Sequence, residues 1–233
     1  GEGDHSIHEL VRAKESGLED FLVYDPYRRA SLRDHFYPVD TSVDDLWAVR
    51  AQELGNFATG DYHAKVSRTG VVLTRAGVVN QGGACPVTVT KKLAFKPRAS
   101  SFEIRYDILN GSSTPLRCLF GVEFALNLLS GNAFDKYYRS DSRDLHYAKL
   151  GERGCDEGLA HIALRDEWLK LECGLTFDRP ATVYRFAVET VSQSEGGQER
   201  IYQGSIVVPC WCLDCAPGQH ETFKIVAQAV ETA

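Results

Sequence analysis

The sequence predicts an all-β protein, an antiparallel β-sandwich with short peripheral helices, and three observations carry that expectation. Phe102, Ile104, Tyr106 and Ile108 alternate with Glu103, Arg105 and Asp107, so one face of that strand is buried and the other wet. Tyr62 to Arg68 and Gly70 to Arg75 are strand-like runs separated by turn residues, as in an antiparallel meander. Val183 to Val191 reads as a strand entering a polar turn, Ser192 to Gln198, from which a second strand leaves through Glu199, Ile201 and Gln203. Within that turn Gly196-Gly197 supplies the positive φ that a tight hairpin needs.

A chain of 233 residues suffices for one β-rich domain with a sizeable core. No repeat of fixed period and no low-complexity linker divides it, so residues 1–233 are expected to form a single domain.

From the beginning, residues 5 to 22 read as a short helix. Ser6 and Glu9 make a capping box, Ile7, Leu10, Val11 and Lys14 follow helical spacing, and Gly17 can end the turn. His5 and His8 share a helix face but have no third ligand nearby, which favours surface histidines over a metal site. Pro26 makes Tyr24-Asp-Pro-Tyr-Arg-Arg29 an extended-to-turn segment. Asp25, Arg28, Arg29, Arg33, Asp34 and His35 then crowd opposite charges together, either as an ion-pair network bracing a loop or as a saccharide or interdomain surface. A second helix is expected from Val43 to Glu53, capped by Ser42 with Asp45.

Val87 to Phe95, Ser101 to Leu109 and Leu116 to Leu128 continue the strand pattern, with Asn110-Gly111 as a turn. Glu123 is the odd residue of the third run, because a carboxylate in an apolar strand is costly to bury unless it is paired or faces a cleft. Residues 130 to 158 read as a polar surface insertion bearing Tyr137 and Tyr138, a pair that suits sugar stacking or ordinary packing. Ala160 to Leu164 and Trp168 to Phe177 resume strands around an Arg165-Asp-Glu-Trp168 turn. Ser205 to Leu213, a Pro217-Gly218 turn and Thr222 to Val230 close the chain.

A net charge of −6 argues against non-specific nucleic-acid binding, which needs a basic surface. No apolar run approaches a membrane span and no signal peptide opens the chain. The absence of Met, even at position 1, is expected of a segment cut from a longer protein. Seven cysteines at irregular spacing make no disulfide framework, so a reducing cytoplasm is the simpler expectation. Cys210, Cys212, Cys215 and His220 have the composition of a zinc site, yet Trp211 and Leu213 continue a strand whose side chains point to opposite faces; core filling is the preferred reading. No nucleotide loop, Ser-His-Asp signature or complete metal site is apparent, and no cofactor is expected.

The hairpin of residues 189–203 carries Glu189, Gln193, Glu195, Gln198, Glu199 and Gln203. Such carboxylates and amides either solvate a hairpin tip or bind sugar hydroxyls in fixed directions.

Glu189-Thr-Val-Ser-Gln-Ser-Glu-Gly-Gly followed by Glu199-Arg-Ile-Tyr-Gln-Gly-Ser205 resembles the C-terminal domain of family-57 glycoside hydrolases, the 4-α-glucanotransferases and α-amylases acting on α-1,4-glucans. His8-Glu-Leu-Val-Arg-Ala-Lys-Glu15, Leu22-Val-Tyr-Asp-Pro-Tyr-Arg-Arg29, Asp34-His-Phe36, Phe120-Gly-Val-Glu-Phe124 and Arg165-Asp-Glu-Trp168 agree in order, so the resemblance spans nearly the whole chain. It implies a supersandwich similar to galactose mutarotase, set behind a catalytic (β/α) barrel that carries the catalytic carboxylates. Nothing in this chain resembles that barrel, so the catalytic barrel of the parent chain is the expected partner and an α-glucan a candidate ligand. Under the resemblance, Glu123, Glu189, Gln193, Glu195 and Gln203 become candidates for a carbohydrate or interdomain surface, and no residue is assigned a catalytic role. Two alternatives stay open. One is a sugar epimerase or mutarotase on the same fold, needing an acid–base pair such as Glu123 with His146 or His161. The other is a purely structural docking module.

Overall fold

The computed structural model describes residues 18–146, 148–194 and 197–232. Eleven strands form among them: β1 (Arg33–Tyr37), β2 (His63–Ser67), β3 (Gly70–Asn80), β4 (Ala84–Phe95), β5 (Ser101–Asn110), β6 (Leu116–Leu126), β7 (Lys136–Arg139), β8 (Gly154–Asp166), β9 (Leu171–Ser194), β10 (Gly197–Cys215) and β11 (His220–Glu231). All pair antiparallel, in the order β1-β6-β10-β9-β11-β5-β4-β3-β2, with β8 and then β7 branching from β9.

β9 makes a sandwich out of this ribbon. Its first part, Leu171–Phe177, pairs with β11, and its second, Thr182–Ser194, pairs with β10. The exchange of partner falls at Asp178–Ala181, where Pro180 has no N–H to offer a ladder. The layer β1-β6-β10 therefore lies over the layer β11-β5-β4, and their inner faces interlock. Phe223 of β11 stacks on Trp211 of β10 at 4.2 Å and lies 5.5 Å from Phe120 of β6, while Tyr106 of β5 sits 5.7 Å from Phe120. Ring pairs of this kind add stabilisation beyond the area they bury.

The β1-β6-β10-β9 layer is apolar on both faces. Cys118, Phe120, Val122 and Phe124 enter the main core, whereas Leu119 and Ala125 join a second cluster with Tyr37, Tyr184, Phe186, Ile206 and Cys210 on the outer face. A short helix, α1 (Val43–Trp47), covers that cluster through Leu46. Its capping box forms as expected, Ser42 Oγ accepting from the Asp45 N–H and Asp45 accepting from the Ser42 N–H. The helix does not run to Glu53: Ala48 caps it and Val49 takes φ 54°. The chain must turn there because Leu54 is needed back at the sheet, donating to Phe36 O and accepting from Asn80 N.

Two other expectations change, and a third falls mostly outside the described residues. Of the N-terminal helix only Leu18–Phe21 is described, as one turn of 3-10 helix; His5, His8 and the capping box at Ser6 lie outside the described residues. The 130–158 region is not a surface insertion throughout, because β7 pairs with β8 and buries Tyr138 to 1% exposure. The β9–β10 ladder also runs further than expected, to Ser194↔Gly197, so Ser192, Gln193 and Gln198 are strand residues. Of the Gly196-Gly197 pair on which the turn reading rested, Gly197 is a strand residue and Gly196 lies outside the described residues, as does Glu195.

The cysteines follow the strand period. Cys210 belongs to the outer cluster, Cys215 to the main core, and Cys212 is exposed, so the three thiols are divided between the two faces of β10. Among the described residues no helix is long and apolar enough to cross a membrane.

Candidate functional site

Strand β1 alternates between two environments, and each receives a charge. Asp34 points with Phe36 toward the main core and is fully buried. Lys91 Nζ pairs with it at 2.8 Å, and the Tyr62 and Tyr106 hydroxyls donate to it. Desolvation, followed by the Asp34 charge, pushes both phenols well above their ordinary range and keeps them neutral donors. This network is closed and braces the inner face.

The outer face of β1 carries His35 and Tyr37, their rings stacked at 5.2 Å. Beside them, β6 places Glu123, and the extended segment held by Pro26 lays Tyr27 and Arg29 across it. Glu123 Oε2 accepts from Arg29 at 2.7 Å and from the Tyr27 hydroxyl at 2.9 Å, and Oε1 accepts from Ala30 N at 3.3 Å. His35 Nε2 lies 3.7 Å from the same carboxylate and 3.3 Å from the Tyr27 oxygen. On its other side His35 Nδ1 meets Glu53 Oε2 at 2.7 Å. Glu53 Oε1 in turn accepts from Phe36 N and Gly55 N. Arg29 also grips Asp25 at 2.8 Å. Burial raises the Tyr27 phenol, and Glu123 raises it further; Arg29 is raised by Glu123 despite the opposing effect of burial.

Tyr27, Arg29, His35, Tyr37 and Glu53 wall a cavity of about 200 Å³ between the Pro26 segment, β1 and α1, with Leu46, Val49 and Ala51 as its apolar side. Gly121, opposite His35 in the ladder, permits the packing behind it: a Cβ there would lie 2.9 Å from Cys210 Sγ and 3.7 Å from the Tyr37 ring. Val49, β-branched and in the left-handed region, is a strained wall residue.

A larger groove of about 1060 Å³ lies along β9 and β8. Its charges meet one another: Arg185 pairs with Asp156 at 2.9 Å, Arg153 with Asp44 at 2.8 Å while lying over the Trp47 ring, and Arg200 with Glu189 at 3.5 Å.

The five residues singled out from the sequence do not form one cluster. Glu123 is 1% exposed, sealed behind Tyr27 and Arg29. Val188 belongs to its face of the layer, so Glu189 points to the other, and it lines the larger groove. Gln193 is exposed opposite Gln198 near the hairpin end. Gln203 sits at a register shift in β10, its amide donating to Thr190 Oγ1 at 3.0 Å. Glu195 lies outside the described residues. The acid–base pairing of Glu123 with His146 or His161 does not form either: His161 faces Asp141 at 3.4 Å, the His146 backbone carbonyl accepts from Arg185, and the histidine facing Glu123 is His35.

Glu53, Tyr27 and Tyr37 were missed as site residues. The available signal was period two along Asp34-His-Phe-Tyr37, which puts His35 and Tyr37 on one face of β1; Glu53, outside any strand, and Glu123, on the distant β6, come within reach only through the fold.

The fold and its relatives agree. Residues 1–225 match the family described as alpha-amylase/4-alpha-glucanotransferase, C-terminal. Alpha-amylase 1 of Dictyoglomus thermophilum is 31% identical over 91% of this chain, which covers 30% of that protein. The 4-alpha-glucanotransferase of Thermococcus litoralis is 30% identical over 87% of this chain and 27% of its own length. Its crystal structure superposes with a TM-score of 0.73 at 25% identity over 95% of this chain and 30% of that one. A galactose mutarotase related enzyme from Lactobacillus acidophilus superposes with a TM-score of 0.51 at 11% identity, covering 85% of this chain and 79% of that one, and shows the fold alone. The chain thus spans under a third of the curated relatives it matches, with a galactose mutarotase-like sandwich as its architecture. It belongs to the family of alpha-amylase/4-alpha-glucanotransferase C-terminal domains.

Proposed function

We propose that this chain is a single, non-catalytic accessory domain of an α-1,4-glucan-processing enzyme, an α-amylase or a 4-α-glucanotransferase, and that it supports a catalytic barrel of the same parent chain. The observation that carries the reading is a pair of coverages: the family matches residues 1–225, while an alignment over 91% of this chain accounts for only 30% of the Dictyoglomus amylase. A retaining glycosidase needs two carboxylates about 5 Å apart across an open scissile bond. Glu123 is instead sealed behind Arg29 and Tyr27, outside the cavity lining, and Glu53 in that lining is committed to His35 and two backbone amides.

Two exposed rings support a choice of contact surface for the barrel. Phe134 and Trp168 are 92% and 82% exposed on two turns tied together by the Glu167 N–H donating to Asp135 O at 2.9 Å. Large apolar groups fixed in place and facing water mark an interaction surface. Gln193 and Gln203 keep a place in a carbohydrate or interdomain surface near the hairpin, Glu123 acting there only through the segment it anchors. A cytoplasmic location agrees with seven cysteines that are all free thiols.

The test is an assay of the purified chain on maltoheptaose and starch. No release and no disproportionation above a mock preparation is expected, whereas removing the segment from its parent enzyme should lower that enzyme's activity or folded yield. Product formed by the chain alone would overturn the reading.

A further inference from the structure

The sheet covers two of its edges and leaves the third open. Beside β1, the Leu54 N–H donates to Phe36 O at 2.7 Å and Glu53 accepts from Phe36 N. Beside β7, the Tyr138 N–H donates to Ala148 O and Tyr137 pairs with Lys149. Beside β2, no described residue meets the side turned away from β3, and all five residues, His63–Ser67, are exposed. An edge strand turns alternate N–H and C=O groups outward, where another strand can pair with them.

Two rows of side chains cross five strands to reach that edge. On the inner face run Ile225, Ile104, Leu93, Val71 and Val66, each directly opposite the next. This apolar row starts in the buried core and ends with Val66 77% exposed. On the outer face, one residue along, run Lys224, Arg105, Lys92, Val72 and Lys65. Like charges placed opposite one another destabilise a sheet. Glu103 answers two of these cations, Arg105 at 2.6 Å and Lys224 at 3.8 Å. Lys92 and Lys65 form no ion pair among the described residues.

We propose that β2 accepts an added strand, supplied by the remainder of the parent chain, whose side chains alternate apolar and acidic.

In strand addition the main chain gives the affinity and the alternating side chains give the specificity. Apolar residues of the added strand prolong the inner row and cover Val66. Its acidic residues fall on the outer face beside Lys65, at the end of the cationic row. A second copy of this chain does not fit, because antiparallel self-pairing centred on Lys65 sets that lysine against itself. The source of the strand rests on the accessory reading above, in which most of the parent lies outside this chain; the open edge does not.

The experiment titrates the purified chain with two synthetic peptides, one alternating Val and Glu and one alternating Val and Lys, by fluorescence anisotropy. The proteins are wild type, Lys65→Glu and Val66→Pro. Ser67 and Gly70 pair across the two-residue turn, so the Val66 N–H points to the open side, where proline is tolerated in an edge strand. Saturable binding of the Val/Glu peptide is expected, weakened about fivefold by Lys65→Glu and abolished by Val66→Pro. Lys65→Glu should instead gain affinity for the Val/Lys peptide. In the parent enzyme, amide exchange over residues 63–67 should be slower than in the chain alone, and Lys65→Glu should reduce the difference. Absence of saturable Val/Glu binding, equal affinity for both peptides, or equal exchange of β2 in the two settings overturns the proposal. Product formed from starch by the chain alone overturns the accessory reading and leaves the peptide result standing.

Discussion

A carboxylate taken out of water without partners costs several kcal/mol, and Glu123 is compensated by donors that all come from one stretch, Tyr27 to His35. The residue therefore acts as the anchor of the Pro26 segment, whose burial depends on it. Glu123→Ala would leave Arg29, itself mostly buried, beside an empty space, and we expect a loss of about 3–5 kcal/mol in urea unfolding. A loss below about 1 kcal/mol would mean that Asp25 suffices for Arg29 and that Glu123 is no anchor. Asp166 gives the same chemistry a pH dependence. Burial opposes its ionisation, but Lys136 Nζ at 2.8 Å and the Leu169 N–H outweigh burial and hold the carboxyl below its ordinary range. Lys136 is correspondingly raised, chiefly by its hydrogen bond to Asp166. The stabilisation is thus fully present above the unfolded carboxyl value, about pH 4, and is lost as pH falls through the lower folded value. At the alkaline end it persists to about pH 10.4, the unfolded lysine value, and is lost above the raised folded one. The stability difference between wild type and Asp166→Asn should accordingly be flat from pH 5 to 9 and shrink on acidification below about pH 4. A difference independent of pH down to acid unfolding would assign the effect to packing.

Among the elements, β11 holds the two layers together. Phe223 contacts Tyr106, Phe120 and Trp211, rings contributed by three other strands, so its removal opens a void at the centre of the main core. Phe223→Ala is expected to cost about 3–5 kcal/mol, read as a lower urea midpoint at unchanged slope. A changed slope would instead signal separation of the layers before global unfolding. The strand pattern around Phe223 was legible in the sequence because period two is a local property of β5, β6, β10 and β11. The length of α1 was not, since the pull of Leu54 back to Phe36 and Asn80 is a long-range contact. Tyr138 was misplaced for the same reason: β7 is four residues long and exists because β8 pairs with it.

At the scale of the whole molecule, the exposed rings of Phe134 and Trp168 are the feature that a neighbouring domain would explain. Trp168→Ala should change the stability of this chain alone by no more than about 0.5 kcal/mol, since the ring contacts water. In the parent enzyme the same substitution should lower the melting temperature or loosen the catalytic region, as hydrogen exchange would detect. Equal insensitivity in both settings would remove this face from the interdomain contact.

The sequence by itself determined the all-β class, most strand positions, the α1 cap and the family, because these depend on local periodicity, on a four-residue hydrogen-bond pattern and on ordered motifs along the chain. Tertiary structure alone decided what the polar residues do. Glu123 and Glu189 look alike as isolated carboxylates in strands, yet the sandwich seals one behind Arg29 and turns the other to the opposite face. His35, Glu53 and Tyr37 become one cavity only because β1 lies against β6 and the chain turns sharply at Val49. Periodicity tells which face of its own strand a side chain takes. What waits on that face depends on strands distant in sequence, and pairing across such distances is fixed by the fold as a whole.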